Sequence, residues 1–395
     1  MTRSLVVRAK AVVTNASDVP QQGVTFDALG IVRDGAIALE DGRVAWCGAI
    51  HALPAQYRAC ELHEYRDCVL VPGFVDAHAH PLFAGDREPD FAARVRGEKA
   101  PLGMLYTVTQ TRKALERPSS FWELIEARLK TIAAHGTTTL ETKTGYALHK
   151  PGEMELLSLI ADHRDEAGMP HLIATFLGAH ALPPEFSNEV DFVDYLVDQC
   201  MPFAKAHGAV YADAFCEPGF FSPEQTQRYL EAARDHGLRL RVHCDEMQYG
   251  AAAQMAAQLG VDAVDHCNYI RDEDVRAIVS GNIVTVACPA TIAYLDLPQR
   301  APVRQLLERG GAVALASDYN PGTSPCFNLQ TVAYFGRKLF GLSAAEALYG
   351  VTVAAAPNAI SSQCTRSRKP AARAASRYRR VCSGEKNPGS QKASA

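Results

Sequence analysis

His78 and His80 stand two residues apart at the end of the apolar run VLVPGFVDAHAHP (69–81). Side chains at i and i+2 of a strand share a face, so two imidazoles at this spacing can reach one metal ion. Alone, the pair is half a ligand set, and a buried strand whose histidines satisfy local hydrogen bonds shows the same pattern. Other strand-like runs add to it, ending in or near Tyr146, His180, Glu217, His243, Glu246, His266 and Asp318. Three imidazoles (His78, His80, His243) and one carboxylate (Asp318) suit a single divalent ion, zinc or iron, and leave a position for water. Water on such an ion supplies hydroxide near neutral pH, so the chemistry indicated is hydrolysis.

These residues need elements that bring them to one rim. From Val69 onward, strand-like runs alternate with helical periodicity: after 69–77 come TTTLETKTGY (137–146), HLIATFLGAH (171–180), YADAFCE (211–217), LRLRVHCDE (238–246), AVDHC (263–267), NIVTVACPA (282–290) and AVALASDYN (312–320). Between them lie amphipathic stretches: Phe121–His135, with Leu124, Ile125, Leu129 and Ile132 on one face, then Glu153–Ala167, Pro223–His236 and Ser343–Ala356. Gly136, Gly168, Gly237 and Gly350 stand near helix ends as stop signals. Eight strands alternating with helices predict an α/β fold, a TIM-like (β/α)8 barrel whose catalytic groups sit at the C-terminal strand ends. An open doubly wound sheet is the competing fold, but no G-x-G-x-x-G follows an early strand. Residues 1–66 read as a small β domain, with Asp-Gly pairs at 34–35 and 41–42 as hairpin signals. The expected domains are 1–66, a barrel over 67–358, and a basic low-complexity tail over 359–395.

A chain of 395 residues, 47% hydrophobic, can bury a barrel and a small accessory domain. Its formal charge of −4 is uneven: the last 35 residues carry +8, which leaves −12 for the body. An acidic body argues against a nucleic-acid partner. No apolar run approaches membrane-spanning length, and Arg8 and Lys10 interrupt the N-terminal apolar residues. The eleven cysteines form no C-x-x-C pair, and Cys216, Cys244, Cys267 and Cys288 lie in apolar runs where a reduced thiol packs as a small hydrophobe. A reducing, cytoplasmic setting is expected.

The stretches PGFVDAHAH, TFLGAHALPPEF, FCEPGFFS, HCDE, DHC and ASDYNPGTSP resemble the amidohydrolase superfamily, and within it the branch that hydrolyses the ring amide of 4-imidazolone-5-propanoate to N-formimidoyl-L-glutamate in histidine degradation. The similarity runs from about 39 to about 356. It implies metal ligands at His78, His80, His243 and Asp318, the four reached above. It also implies substrate-binding residues at Arg87, Tyr146, His180, Glu246 and Thr323, with product contacts at Asn320 and Gly322. A guanidinium at Arg87 suits a propionate carboxylate by bidentate pairing, although a solvated salt bridge within FAGDREPDF has the same sequence. Glu246 can take the proton of the attacking water, or serve as a helix-start carboxylate before QYGAAAQMAAQLG. His180 and His266 can polarise the ring carbonyl and hold the oxyanion, or orient ligands. Asp318 can carry a proton to the leaving nitrogen as well as bind metal. The implied partners are a small anionic cyclic amide and a second copy of the chain as a homodimer. A related hydrolase opening another carboxylate-bearing cyclic amide such as a hydantoin, or a deaminase, is the alternative.

Two stretches depart from that resemblance. After Arg96-Gly97 the chain reads EKAPLGMLYTVTQTR, a shortened loop without the expected tyrosine, where Tyr106 is the nearest substitute. After Ile360 it turns into a basic, Ser- and Arg-rich stretch that cannot bury a sheet. Either an aberrant gene end or a genuine basic arm accounts for it, and the small β domain is expected to be incomplete at that end.

Overall fold

The structure, a computed structural model, describes residues 4–15, 21–356 and 378–381. They divide into two compact units: residues 4–15, 25–73 and 378–381, and residues 21–24 with 74–356.

The first unit is a five-stranded sheet. It contains β1 (Ser4–Val13), β2 (Ile31–Glu40), β3 (Arg43–Ala49), β4 (Glu61–Pro72) and, last in the chain, β13 (Tyr378–Val381), in the order β13-β4-β1-β2-β3. Asp41-Gly42 makes the expected tight hairpin between β2 and β3, with both residues at positive φ (48° and 76°). Asp34-Gly35 does not make one. It lies inside β2, which continues past it in register with β1; Asp34 tolerates φ 43° while its carboxylate takes the Arg8 guanidinium at 2.8 Å. The tail also differs from expectation at one place. Tyr378–Val381 pairs antiparallel with Val69–Pro72 of β4, because an open strand edge can be met by backbone hydrogen bonds alone. The rest of the tail lies outside the described residues.

The run 69–81 is not one strand. It breaks at Gly73, so that Val69–Pro72 completes β4 and Phe74–Ala79 forms β5, the first strand of the second unit. There β5, β6 (Thr137–Lys143), β7 (His171–Ala179), β8 (Tyr211–Cys216), β9 (Arg239–Cys244), β10 (Ala263–His266), β11 (Val284–Ala287) and β12 (Val313–Leu315) pair in chain order, all parallel. Just beyond β12 and β5 the two ends meet: the Asp318 amide donates to the His78 carbonyl and the His80 amide to the Tyr319 carbonyl, both at 2.9 Å. The eight strands are thus a (β/α)8 barrel, as the alternation predicts.

Helices lie between the strands. Pro118–Ala134 buries Phe121, Trp122, Ile125, Leu129 and Ile132; Leu124, expected on that face, is exposed, since one residue turns a helix by 100°. Pro223–Asp235 and Ala344–Gly350 begin with capping boxes, Ser222/Gln225 and Ser343/Glu346. Cys216, Cys244, Cys267 and Cys288 are buried free thiols. Among the described residues, no helix is long and apolar enough to cross a membrane.

Candidate active site

The ligand candidates meet at the C-terminal rim. His78 Nε2 and His80 Nε2 are 3.1 Å apart, and Asp318 Oδ1 lies 3.4 Å from each. His243 joins them, since one nitrogen from each of the three histidines falls within 4.8 Å of the others. Two tautomers are set from behind. The Nδ1–H of His78 donates to Asp265 Oδ2 at 2.7 Å and that of His243 to Asp213 Oδ1 at 3.1 Å, which turns both Nε2 lone pairs toward the centre. Burial, with Lys143 adding to it at His78, pushes the pKa of His78 and of His243 down to about 4. Thr291 donates to the other Asp318 oxygen at 2.7 Å, leaving Oδ1 to the histidines.

Nitrogen lone pairs and a carboxylate oxygen crowded this closely repel unless they share a cation. Tetrahedral zinc, at about 2.0–2.1 Å from nitrogen, would set its ligand atoms roughly 3.3 Å apart, close to the spacing found. The residues fit a divalent ion.

Above the cluster is a cavity of about 180 Å³. It is lined by Arg87, Tyr146, His180, Glu246, His266, Asn320, Gly322 and Thr323, so every site residue expected from the sequence reaches this cavity or the ligand cluster beneath it. Glu246 sits on a loop after β9 whose amides are clamped by Glu217: the Glu246, Met247 and Gln248 N–H groups donate to its carboxylate at 2.8–3.0 Å. The helix after this loop starts at Ala252 and uses Asp245 to take the Gly250 and Ala253 amides, so Glu246 is not its capping carboxylate. Burial raises Glu246 to about 7 against the pull of nearby His266. Burial also opposes the charged form of His266, but Glu246 and Asp318 outweigh it and hold its pKa above the usual value. Its Nδ1 is 3.7 Å from Glu246 Oε1 and makes no hydrogen bond among the described residues.

His180 has a different state from the one assumed for an oxyanion donor. Its Nδ1 must donate to the Gly145 carbonyl at 2.9 Å, and burial holds its pKa well below 6.5. A neutral ring with Nδ1 protonated presents a lone pair at Nε2, so His180 accepts a hydrogen bond in the cavity. Asn320 likewise has little left for a ligand: its amide nitrogen donates to Asp318 O and Thr323 Oγ1, and its oxygen takes the Gly322 and Thr323 amides, all at 2.7–2.9 Å. It builds the turn that brings Gly322 against the Arg87 guanidinium, where a Cβ would lie only 3.0 Å from Nη1.

Arg87 is nearly buried, its Nε bound to Asp90 and its Nη1 3.4 Å from Thr107 Oγ1, so it is not the solvated salt bridge. Asp90 also takes the amides of Leu102 and Gly103, tying the guanidinium to the shortened loop. That loop places Met104 in the cavity wall; Tyr106 packs near Gly85 and does not line it. Phe215, Phe220 and Met247 complete the apolar wall.

Sequence reasoning missed Asp213, Asp265, Lys143, Arg241 and Thr291. Lys143 and Arg241 had a signal: charged residues at alternate positions of their strands (Glu141/Lys143, Arg241/His243), all buried in the barrel interior.

This barrel, with its strand-end ligand cluster, defines a metal-dependent hydrolase, and residues 69–360 match the amidohydrolase family model. The chain belongs to that family. Among curated proteins it is 35% identical over 337 residues to the imidazolonepropionase of Parabacteroides distasonis, covering 83% of this chain and 80% of that one. It is 37% identical over 343 residues to the imidazolonepropionase of Sphingopyxis alaskensis (84% and 82%). Among solved structures, guanine deaminase of E. coli superposes with a TM-score of 0.64 at 18% identity, over 90% of this chain and 83% of that one, a likeness of fold.

Proposed function

We infer that this chain is a hydrolase of cyclic-amide C–N bonds that opens the ring of 4-imidazolone-5-propanoate to N-formimidoyl-L-glutamate, the imidazolonepropionase step of histidine degradation. The observation that carries this is the convergence of His78, His80, His243 and Asp318 under a small cavity whose one arginine among the described residues is Arg87. These four residues would hold one divalent ion, zinc or iron. The chemistry such an ion would supply there is a polarised water whose pKa lies nearer neutrality.

The chain's own groups do the rest. Arg87 takes the propionate carboxylate through its Nη atoms, with Nε already committed to Asp90. His180 Nε2 accepts a ring N–H, and Tyr146 and Thr323 present hydroxyls to the ring and its polar atoms. Glu246 accepts a proton as the water oxygen bonds to the carbonyl carbon. His266, whose charged form Glu246 and Asp318 favour, donates to the oxyanion that develops. As the tetrahedral centre collapses, the C–N bond breaks and Glu246 passes the proton it took from the water to the leaving nitrogen, while Asp318 is the second carboxylate within reach of that transfer once it has itself taken up a proton.

A second reading, another carboxylate-bearing cyclic amide such as a hydantoin, or a deamination, is favoured by Met104, an apolar side chain where the shortened loop meets the cavity. Purified protein supplied with zinc or ferrous iron is assayed for loss of imidazolonepropionate absorbance beside a panel of cyclic amides. Turnover of the panel without imidazolonepropionate would replace the first reading with the second. We also propose a cytoplasmic homodimer without a nucleic-acid partner, from the superfamily resemblance and the acidic body; light scattering on the purified chain tests the dimer.

A further inference from the structure

Below the ligand cluster the barrel interior holds two cations that the steps above do not use, Lys143 and Arg241, both fully buried. Lys143, on β6, places its ammonium 2.6 Å from Asp213 Oδ2 on β8, 3.0 Å from Glu141 Oε1 and 3.4 Å from Asp265 Oδ2 on β10. Strands β6 and β10 are not neighbours, so the last contact crosses the interior. Asp213 and Asp265 are the two carboxylates that receive the Nδ1 protons of His243 and His78. Arg241 hydrogen-bonds Asp265, at 2.8 Å, and the Ala77 carbonyl, but not Asp213. One ammonium therefore touches both orienting carboxylates, and the guanidinium touches one.

We propose that Lys143 is the shared positioning residue of the metal centre: it fixes Asp213 and Asp265 together and through them aims two of the imidazoles. This rests on the assignment of His78, His80, His243 and Asp318 as the ligand set. Without the ammonium, Glu141, Asp213 and Asp265 would keep one guanidinium among three buried carboxylates, and like charges confined in a dry interior move apart or take up protons. The imidazoles would then lose fixed acceptors at Nδ1, and their Nε2 lone pairs would no longer be held on one point. Partners behind ligand histidines typically govern affinity by about 10–100-fold, and here one residue serves two ligands.

The test is zinc affinity by chelator competition on the metal-stripped full-length protein, with its thermal unfolding measured alongside. Lys143→Met is expected to weaken zinc binding at least tenfold, and to add less than threefold on top of the double variant Asp213→Asn/Asp265→Asn, since it acts through those two carboxylates. The paired variant Lys143→Gln/Glu141→Gln removes one charge of each sign, so it preserves the buried charge balance should the single variant not fold. It is expected to lose zinc affinity by a similar factor. Affinity within twofold of the parent in a variant that melts lower would make Lys143 a structural cation only and overturn the inference. His243→Ala separates the two readings: if it binds zinc as tightly as the parent, the ligand assignment fails and the inference with it.

Discussion

Asp318 and His78 are joined twice. The Asp318 amide donates to the His78 carbonyl at 2.9 Å, and Asp318 Oδ1 lies 3.4 Å from His78 Nε2. Barrel closure and ligand convergence are therefore one seam. Stripping the metal is expected to abolish turnover and lower the melting temperature, with zinc or ferrous iron restoring both. Ligand bound only to the folded state stabilises by about 2.7 kcal/mol at a hundred times its dissociation constant. Equal melting curves with and without metal would separate the seam from the site.

Glu246→Gln keeps the shape of the side chain and its loop clamp but removes the base. The expected loss in kcat is roughly 10²–10⁴-fold, with KM and zinc content little changed.

The acid limb of the pH profile follows from the same residue. With its pKa raised to about 7 by burial, Glu246 is a base only above that value, so kcat/KM should fall about tenfold per unit as pH drops below it. A flat profile from pH 5 to pH 8 would assign proton removal elsewhere.

Arg87→Met should lower kcat/KM by roughly 10–100-fold through KM, the scale of one or two charge-assisted hydrogen bonds. Asp90→Asn, which leaves the arginine in place but loosens it, should raise KM about tenfold. Neither change should affect an analogue that lacks the carboxylate, and comparing the two substrates checks this.

Gly145→Ala should injure the cavity without removing a polar group. Gly145 has φ +100°, and a Cβ there would lie 2.7 Å from Leu177 O and 2.9 Å from His180 Nδ1. The strain of roughly 1–3 kcal/mol would appear as a lower melting temperature and a higher KM.

The strand-end residues could be read in the sequence because a parallel barrel concentrates chemistry at one rim, and because the i, i+2 spacing of His78 and His80 survives any error in strand boundaries. Carboxylates inside the barrel were harder to see. Asp213 and Asp265 lie in short apolar runs, and only contacts across the interior show which histidine each one orients. His180 lines the cavity, but which way its ring hydrogen-bonds could not be read from the sequence, since its tautomer depends on the Gly145 carbonyl. Asp34-Gly35 carries a hairpin signal inside a continuous strand, where pairing with β1 on both sides of the dipeptide overrides local turn preference. Tyr378–Val381 was hidden by its composition, because edge pairing asks for backbone and not for an apolar face.

Glu217 holds three successive amides beneath Glu246, and Glu153 does the same for Gly145, Ala147 and Leu148 on either side of Tyr146. Two rim segments are thereby frozen by acids that never meet the reactant, and an incoming molecule need not spend affinity on shaping them. Selectivity should then evolve by exchanging the greasy wall at Met104, Phe220 and Met247 while the scaffold around it stays put.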